Sequence, residues 1–543
     1  MHSIFAGAIA TATVAAACIA ALSLPVLAQN TSLKLTPRRR LLWTGVLAAV
    51  FALACSAAHA GKKNDTLTWL TPNEPPTYEF YAVDQRPVLI IAHHVWDTLL
   101  VQDPVTGELQ PHLATSITFS TPTTLEVKLR QGVKFHNGDP FTADDVVYTI
   151  TWQNDPNNKS VRFRSRTDWI RQAEKIDTYT VRLHLHRPYA PAMAMLATNL
   201  PIYPAAYTKA QGSEGMSRAP VGTGPYRVTE VTRGKHIVLE RNKEYFGGAK
   251  TPAKIGKVVV RFVPEYGTQI AELLAGNADL IWQVPKDQAE RLKGRRGLNV
   301  MVGDTMRFAL LQFDITGRPG AAAEVLRKLE VRQAISHAIN RKAIVDKLLG
   351  GGTVLDLTCY PSQIGCASKN AVKYGYDPVK AKQLLAAAGY PNGFDIDLYA
   401  NRDRQLAEAM MGDLAKVGIR VRLQWLQYAE LADKARKGEV PMAFRTQGSS
   451  SINDVAASAG RFFDKGADDS TRDDRLTDLM KKAEAELDPA KRLALYDEAH
   501  QLIAKNAYSL PLWSYAYFYA MNGELEFQPT PDEIPHFNRA SWK

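Results

Sequence analysis

The segment LRQGVKFHNGDPFTADDVVYTI, Leu129–Ile150, shows most directly how this chain folds. Alternating apolar residues before its Gln-Gly pair are typical of a strand that ends in a turn. The Asn-Gly pair predicts a second turn. Thr142 is followed three residues later by Asp145, which is typical of a capping box, so we expect a helix over residues 144–152. The segment therefore predicts a strand, a connection rich in turns, and a helix.

Strand and helix signals alternate along the rest of the chain. Residues 66–70, TLTWL, alternate like a strand, and residues 324–352 carry apolar residues at helical spacing up to a glycine run. Asp377 and Pro378 begin a predicted helix that Gly389 ends. Two further stretches, 406–425 and 492–519, each indicate a helix followed by a strand. Units of this kind predict an α/β fold.

No pattern typical of an enzyme occurs in the sequence. It contains no G-x-S-x-G, no H-E-x-x-H and no phosphate-binding glycine loop. His184 and His186 share one strand face and could chelate a metal, but half-buried strand residues are the commoner explanation of such a pair. We therefore predict no catalysis, no cofactor and no metal.

The first 60 residues indicate export. They lack Asp and Glu, and a short apolar run, 41–54, follows KLTPRRR and ends in AHA before Gly61. These are the parts of a secretory signal, so we predict a periplasmic protein that begins near Gly61. A membrane anchor is disfavoured because the run is short, and ALAC, ending at Cys55, only weakly resembles a lipoprotein site. The formal net charge is +11, but no run of Lys or Arg suggests nucleic acid.

Two of the four cysteines lie in this leader. The remaining pair, Cys359 and Cys366, is closely spaced in a chain predicted to be exported. We therefore expect a disulfide that closes a small loop. Because the loop is short, the bond should stabilise a local turn more than the whole fold.

Four motifs in order resemble one protein family. They are LRQGVKFHNGDPFTADDVVYTI, GTGPYRV at 222–228, VRQAISHAINRKAIVDKLLGG, and YGYDPVKAKQLLAAAGYPNGF. Together they resemble the family 5 extracellular solute-binding proteins, the dipeptide-, oligopeptide- and nickel-binding receptors of bacterial ABC importers. The resemblance extends over nearly all of residues 66–519.

The resemblance implies a fold like the type II periplasmic binding proteins, with three lobes and a ligand cleft between lobes I and III that closes about a hinge. Lobe I is expected to be discontinuous, over 61–98, 205–307 and 518–543. Lobe II covers 99–204, and lobe III covers 308–517. The implied partners are two permease subunits with cytoplasmic ATPases, and we expect a monomer.

The resemblance also suggests which residues bind the ligand. Arg402 is the best match to an arginine that holds the carboxylate of a dipeptide, and Arg404 is next. A solvated loop arginine is the alternative, since Arg is mostly exposed.

The loop RTQGSSSINDV, Arg445–Val455, matches the place where peptide receptors carry an acid for the amino terminus. The residues of this loop that we expect to line the ligand cleft are Arg445, Thr446, Gln447, Gly448, Ser449 and Ser450. Asp454 is the only acid within reach, and it comes two or three residues late. Arg445 adds a positive charge instead, which favours an anionic solute.

Three functions remain open from the sequence. The first is a receptor for a peptide or a peptide-like compound. The second is a receptor for a non-peptide solute that is anionic, such as an opine, a sugar derivative or an organic acid. The third is an exported hydrolase or chaperone on the same fold, which the missing catalytic residues disfavour.

Overall fold

A computed structural model describes residues 61–543, except 84, 160, 162–166, 319 and 320, and it leaves out the side chains of 321–323. The predicted leader and its cleavage site before Gly61 lie outside the described residues. Within the described part, no helix is both long enough and apolar enough to span a bilayer.

The strands, in chain order, form two main sheets and two small ribbons. They are β1 Thr66–Thr71, β2 Leu100–Gln102, β3 Leu109–Pro111, β4 Ala114–Thr121, β5 Thr124–Leu129, β6 Ile170–Asp177, β7 Thr180–Leu185, β8 Tyr226–Thr232, β9 His236–Arg241, β10 Lys257–Phe262, β11 Leu280–Trp282, β12 Leu298–Phe313, β13 Asp395–Ala400, β14 Arg420–Trp425, β15 Met442–Gln447, β16 Ser509–Asn522, β17 Leu525–Glu526 and β18 Ser541–Trp542.

The α-helices lie between these strands, as expected for an α/β fold. They are Arg86–Val95, Ala143–Asn154, Ala192–Thr198, Ala205–Arg218, Tyr266–Leu274, Lys286–Leu292, Ala321–Arg327, Leu329–Ala338, Arg341–Ile344, Pro378–Ala387, Arg404–Ala415, Tyr428–Lys437, Asp474–Ala485 and Pro489–Lys505.

The larger sheet has the order β14-β13-β15-β12-β16-β11-β1-β10-β9-β8. Its two central strands, β12 and β16, are antiparallel neighbours that run through both halves of the sheet. The later part of β12 pairs with β15, whereas the end of β16 pairs with β11. The β12–β16 ladder is irregular between Asp304 and Leu310, so both strands bend where the halves meet.

A separate hydrophobic core supports each half of this sheet. One core joins β1, β9 and β10 to the four-stranded sheet β4-β5-β7-β6, through residues such as Trp69, Leu125 and Val258. Another joins β13 and β15 to the surrounding helices, through residues such as Leu398 and Phe444. The two cores lie on either side of the irregular stretch in β12.

The segment 129–150 folds as its pattern predicts. β5 ends at Leu129, and the helix Ala143–Asn154 begins with the expected capping box. The Thr142 hydroxyl accepts a hydrogen bond from the Asp144 N–H at 3.3 Å, and the Asp145 carboxylate accepts one from the Thr142 N–H at 2.9 Å. The predicted helix, 144–152, is therefore confirmed, and the observed helix begins one residue earlier and ends two residues later.

The long helical stretch 324–352 is broken into several helices rather than continuous. The guanidinium of Arg332 lies inside and donates to the carbonyls of Leu326 and Arg327 at 2.6 and 3.0 Å, and to that of Asn506 at 2.7 Å. The carbonyls at the end of the helix Ala321–Arg327 thus receive hydrogen bonds from a side chain, and a new helix begins at Leu329. Gly350 ends the stretch in a left-handed conformation, as the glycine run predicts.

His136 joins two of the motifs to each other. Its Nδ1 accepts a hydrogen bond from the Gly222 N–H at 3.2 Å, and its Nε2 lies 3.0 Å from the Gly224 carbonyl oxygen. This arrangement suits the neutral ring with its proton on Nε2. Burial lowers the pKa of His136 to about 4, more than its carbonyl partner raises it.

His136→Gln is expected to make the stability of the protein less sensitive to acid. The folded pKa lies below the ordinary value of 6.5, so this histidine destabilises the fold as pH falls from about 6.5 to about 4. The slope is at most one proton, or about 1.4 kcal/mol per pH unit. Urea unfolding at several pH values measures it. Exposed His186→Gln is the control, and equal slopes for the wild-type chain and His136→Gln would refute the assignment.

Candidate ligand-binding site

A cavity of about 230 Å³ lies where the two halves of the large sheet meet. Six parts of the chain line it: the start of the helix Arg86–Val95, the irregular stretch of β12, the residues after β13, the start of the helix Tyr428–Lys437, the end of β15 with the loop that follows, and the short helical turn Gly460–Phe462. Its lining residues are Arg86, Leu89, Arg307, Asn401, Arg402, Tyr428, Arg445, Thr446, Gln447, Gly448, Ser450 and Arg461. Concave sites at such junctions are the usual places for ligands.

Six of the predicted ligand residues line this one cavity. They are Arg402, Arg445, Thr446, Gln447, Gly448 and Ser450. Ser449 lies beneath the surface, with its hydroxyl 3.9 Å from the sulfur of Met306. Arg404 lines a neighbouring groove instead, and its Nε donates to Glu408 at 2.8 Å. Contact with ligand stays a prediction for all of them.

The Asp454 carboxylate lies inside the protein and is not among the cavity-lining residues. Its side chain is about 2% exposed and accepts two hydrogen bonds from the guanidinium of Arg492, at 2.8 and 2.9 Å. It also accepts one from the Ala456 N–H at 2.9 Å, which begins a short helical turn. Because the carboxylate is fully used inside the protein, we do not carry Asp454 into the proposed ligand site.

The sequence reasoning missed Arg86 and Arg307. Arg307 lies in the irregular stretch of β12, where its Nε donates to the Tyr517 hydroxyl at 3.1 Å and its Nη2 lies 3.3 Å from Glu533. Arg86 Nη2 lies 3.4 Å from the other oxygen of Glu533. Burial opposes ionisation of Glu533, but the two arginines outweigh it and hold the pKa of Glu533 below its usual value. An arginine that opens the apolar run FALLQF was the available signal.

Asp468 pairs with two further arginines of the cavity, Arg445 and Arg461. It is 3.3 Å from Arg445 Nη2 and is hydrogen-bonded to Arg461 as well. Burial raises the pKa of Asp468, but these two guanidinium groups lower it by more. Asp468 therefore stays ionised and holds both arginines in place.

Arg402 is held by an aromatic ring and one acid. Its Cζ lies 5.2 Å from the centre of the Tyr515 ring, and its Nε donates to Asp403 at 2.8 Å. Burial disfavours its charge, but Tyr515 and Asp403 raise the pKa of Arg402 above its ordinary value. Five arginines therefore line the cavity, and three acids, Glu533, Asp468 and Asp403, pair with them. The site has an excess of positive charge.

Several residues around this cavity have backbone conformations that cost energy. Ser450, Ser451, Glu533 and Asp403 have φ angles of 51°, 69°, 61° and 56°. Each such residue costs on the order of 1–3 kcal/mol and persists only where its surroundings enforce it. Strain of this kind clusters at binding sites, where it fixes the positions of side chains.

The predicted disulfide is present and supports the loop that follows β15. Cys359 and Cys366 are bonded, with their Cα atoms 5.8 Å apart. Within the closed loop, the Ile364 N–H donates to the Asn453 carbonyl at 3.2 Å, and the Ile364 carbonyl accepts from the Val455 N–H at 3.0 Å. The cysteine loop and the cavity loop therefore form one unit.

Replacing both cysteines by serine is expected to lower the free energy of unfolding by about 2–3 kcal/mol, from the entropy of an eight-residue loop. The fold should remain, and ligand affinity should fall several-fold because the loop 449–453 loses its support. Urea unfolding and calorimetry measure the two effects. Unchanged affinity despite reduced stability would show that the cavity loop holds its shape alone.

Comparison with known proteins identifies the family. The chain belongs to the bacterial extracellular solute-binding proteins, family 5, whose middle region matches residues 108–470. Proteins of this family are periplasmic substrate-binding receptors of ABC importers rather than enzymes, and the chain is a receptor of this class. The resemblance drawn from the four motifs and the predicted fold class are confirmed.

Particular relatives differ in the solutes that their names report. The chain is 29% identical to heme-binding protein A of Haemophilus influenzae, over 69% of this chain and 73% of that protein. It is 28% identical to the glutathione-binding protein GsiB of Escherichia coli (strain K12), over 75% and 80%. The structure of AgaA from A. tumefaciens R10, in complex with agropinic acid, has a TM-score of 0.72 and 26% identity, over 88% and 99%.

Proposed function

We propose that this receptor captures a small, carboxylate-bearing, peptide-like solute. The observation that carries the proposal is the convergence of five arginines on one cavity, with three acids to pair them. A cavity lined by arginines favours a ligand of opposite charge, because guanidinium groups bind carboxylates through paired hydrogen bonds. A free amine would meet no unpaired acid among the described lining residues.

The proposed motion is closure about β12 and β16. These strands connect the two halves of the large sheet, and their ladder is irregular at residues 304–310. Arg86 already contacts the cavity loop, since its Nη1 donates to the Ser451 hydroxyl at 2.9 Å. In this proposal lobe I comprises 61–98, 205–307 and 518–543, lobe II comprises 99–204 and lobe III comprises 308–517, and the solute holds lobes I and III together.

The remaining parts of the proposal follow from the family. The leader 1–60 is removed on export, and the mature receptor acts as a monomer in the periplasm. It delivers its solute to two permease subunits with cytoplasmic ATPases, and it performs no chemistry on the solute. In this proposal the permease distinguishes the closed receptor, which holds solute, from the open receptor, which is empty.

Isothermal titration calorimetry with a small panel tests the proposed ligand class. The panel contains three compounds that differ in charge. They are glutathione, an N-acetylated dipeptide with a free carboxylate, and the amide of that same dipeptide. We expect both acids to bind and the amide to bind at least tenfold more weakly. Equal binding of the acid and the amide would contradict the proposal.

A second candidate is an opine-like acid without a peptide bond. The similarity to AgaA, whose structure holds agropinic acid, favours it. The loop serines and Gln447 could donate to the hydroxyl groups of such a solute. Agropinic acid is therefore added to the panel, and tight binding of agropinic acid with no binding of the peptides would favour this candidate.

A further inference from the structure

Two groups of guanidinium side chains, called poles below, line the cavity: Arg402 is one, and Arg307 with Arg86, beside Gly448, is the other. Glu533 lies between Arg307 and Arg86, so this trio carries one unbalanced positive charge. The side chain of Glu533 is about 2% exposed, whereas both arginines reach the cavity. Arg402 has its own acid, Asp403, which accepts a hydrogen bond from the Arg402 Nε.

Gly448 makes room for this pole. A Cβ at Gly448 would lie 2.9 Å from Arg307 Nη2 and 3.5 Å from Glu533 Oε1. Any side chain here would push the guanidinium away, and an acidic one would neutralise it. The glycine therefore keeps Arg307 against the loop backbone and leaves its charge available.

The pairing inside the trio is incomplete. The contacts from Glu533 to Arg307 and Arg86 are 3.3 and 3.4 Å, longer than the usual 2.7–2.9 Å of charge-assisted hydrogen bonds. Arg86 Nε is buried and has no hydrogen-bond partner among the described residues. Both guanidinium groups line the cavity, where they can donate to an additional anion besides Glu533.

We infer that the bound solute carries two anionic groups, one held at Arg402 and the other at Arg307 and Arg86 beside Gly448. The inference rests on the proposed function and narrows its ligand class from a carboxylate to a compound with two acidic groups. The five arginines and three acids of the cavity leave a net charge of 5 − 3 = +2, and a single carboxylate would compensate only half of it. Glu533 offsets part of the positive charge of Arg307 and Arg86.

The test compares glutathione, which has two carboxylates, with its glycine monoethyl ester, which has one. Calorimetry is performed on the wild-type chain, Arg307→Gln and Arg402→Gln, with Arg261→Gln as a control arginine outside the cavity. We expect the ester to bind at least tenfold more weakly than glutathione. Each pole variant should weaken glutathione at least tenfold, and one of the two, but not both, should leave the ester within twofold.

Two other outcomes would contradict the inference, and they differ in what they say about the proposed function. If the ester binds as tightly as glutathione, or if both variants weaken both compounds by equal factors, one carboxylate bridges the poles and the inference is wrong while the proposed function stands. If neither compound binds, the peptide-like form of the proposed function fails and the inference fails with it.

Glu533→Gln separates the effect of this negative charge on the ligand from simple structural support. Removing this carboxylate takes away the negative charge that the largely buried guanidinium groups of Arg307 and Arg86 share, so the melting temperature should fall. The affinity for glutathione should rise at least threefold, and by more than the affinity for the ester, because the pole gains net positive charge. A fall in both stability and affinity would show that Glu533 only supports the fold, and would contradict its assigned role.

Discussion

Asp454→Asn is expected to lower the free energy of unfolding by about 3–5 kcal/mol, because it leaves the buried guanidinium of Arg492 without its counter-charge. The two side chains are 2% and 7% exposed and share two hydrogen bonds, at 2.8 and 2.9 Å. Burial disfavours the charge of Arg492, but Asp454 outweighs it and raises the pKa of Arg492. Ligand affinity should change little, since Asp454 does not line the cavity. Urea unfolding and calorimetry measure the two quantities.

The double variant Asp454→Leu with Arg492→Met is the control for this prediction. Replacing both partners of a buried ion pair by apolar residues of similar volume is often neutral or stabilising. We therefore expect the double variant to recover most of the lost stability. A single variant that keeps its stability but loses the ligand would instead show that Asp454 anchors the solute.

Arg402→Ala is expected to weaken ligand binding by about 10- to 150-fold, which corresponds to about 1.5–3 kcal/mol for a hydrogen bond to a charged group. The guanidinium lines the cavity over the Tyr515 ring and has an acid partner only at its Nε among the described residues. Its stability effect should be small, because the side chain is 35% exposed.

Arg404→Ala is the matched control, two residues along the same segment. That side chain is 59% exposed, pairs with Glu408 and lies outside the cavity. Calorimetry with glutathione should show a change of less than twofold. Loss of binding in Arg404→Ala, with little change in Arg402→Ala, would mean that the two arginines have exchanged roles.

Local features of the fold were predictable because their causes lie within a few residues. The capping box of Thr142 and Asp145 joins residues three apart, and Asp377 with Pro378 begins a helix as its spacing indicates. The Cys359–Cys366 bond also closes a short loop. In each case the interacting groups are neighbours in the sequence, so a pattern of residue types is enough.

The candidate site was only half predictable from the sequence, because its residues come from distant segments of the chain. The loop 445–450 and Arg402 could be placed by family resemblance, and both reach the cavity. Arg307 and Glu533 are 226 residues apart, and no spacing rule joins them. The partner of Asp454 is likewise on a helix 38 residues later. Such pairs depend on how β12 and β16 bring the halves together.

The solute that the protein carries from the periplasm tests the central claim most directly. It can be released from the purified receptor and measured by mass spectrometry before and after methyl esterification, which marks each carboxylate. We predict a small solute that gains two methyl groups, and a gain of only one would contradict the inference of two anionic groups but not the proposed function. A bound solute that gains none would contradict the account of this receptor.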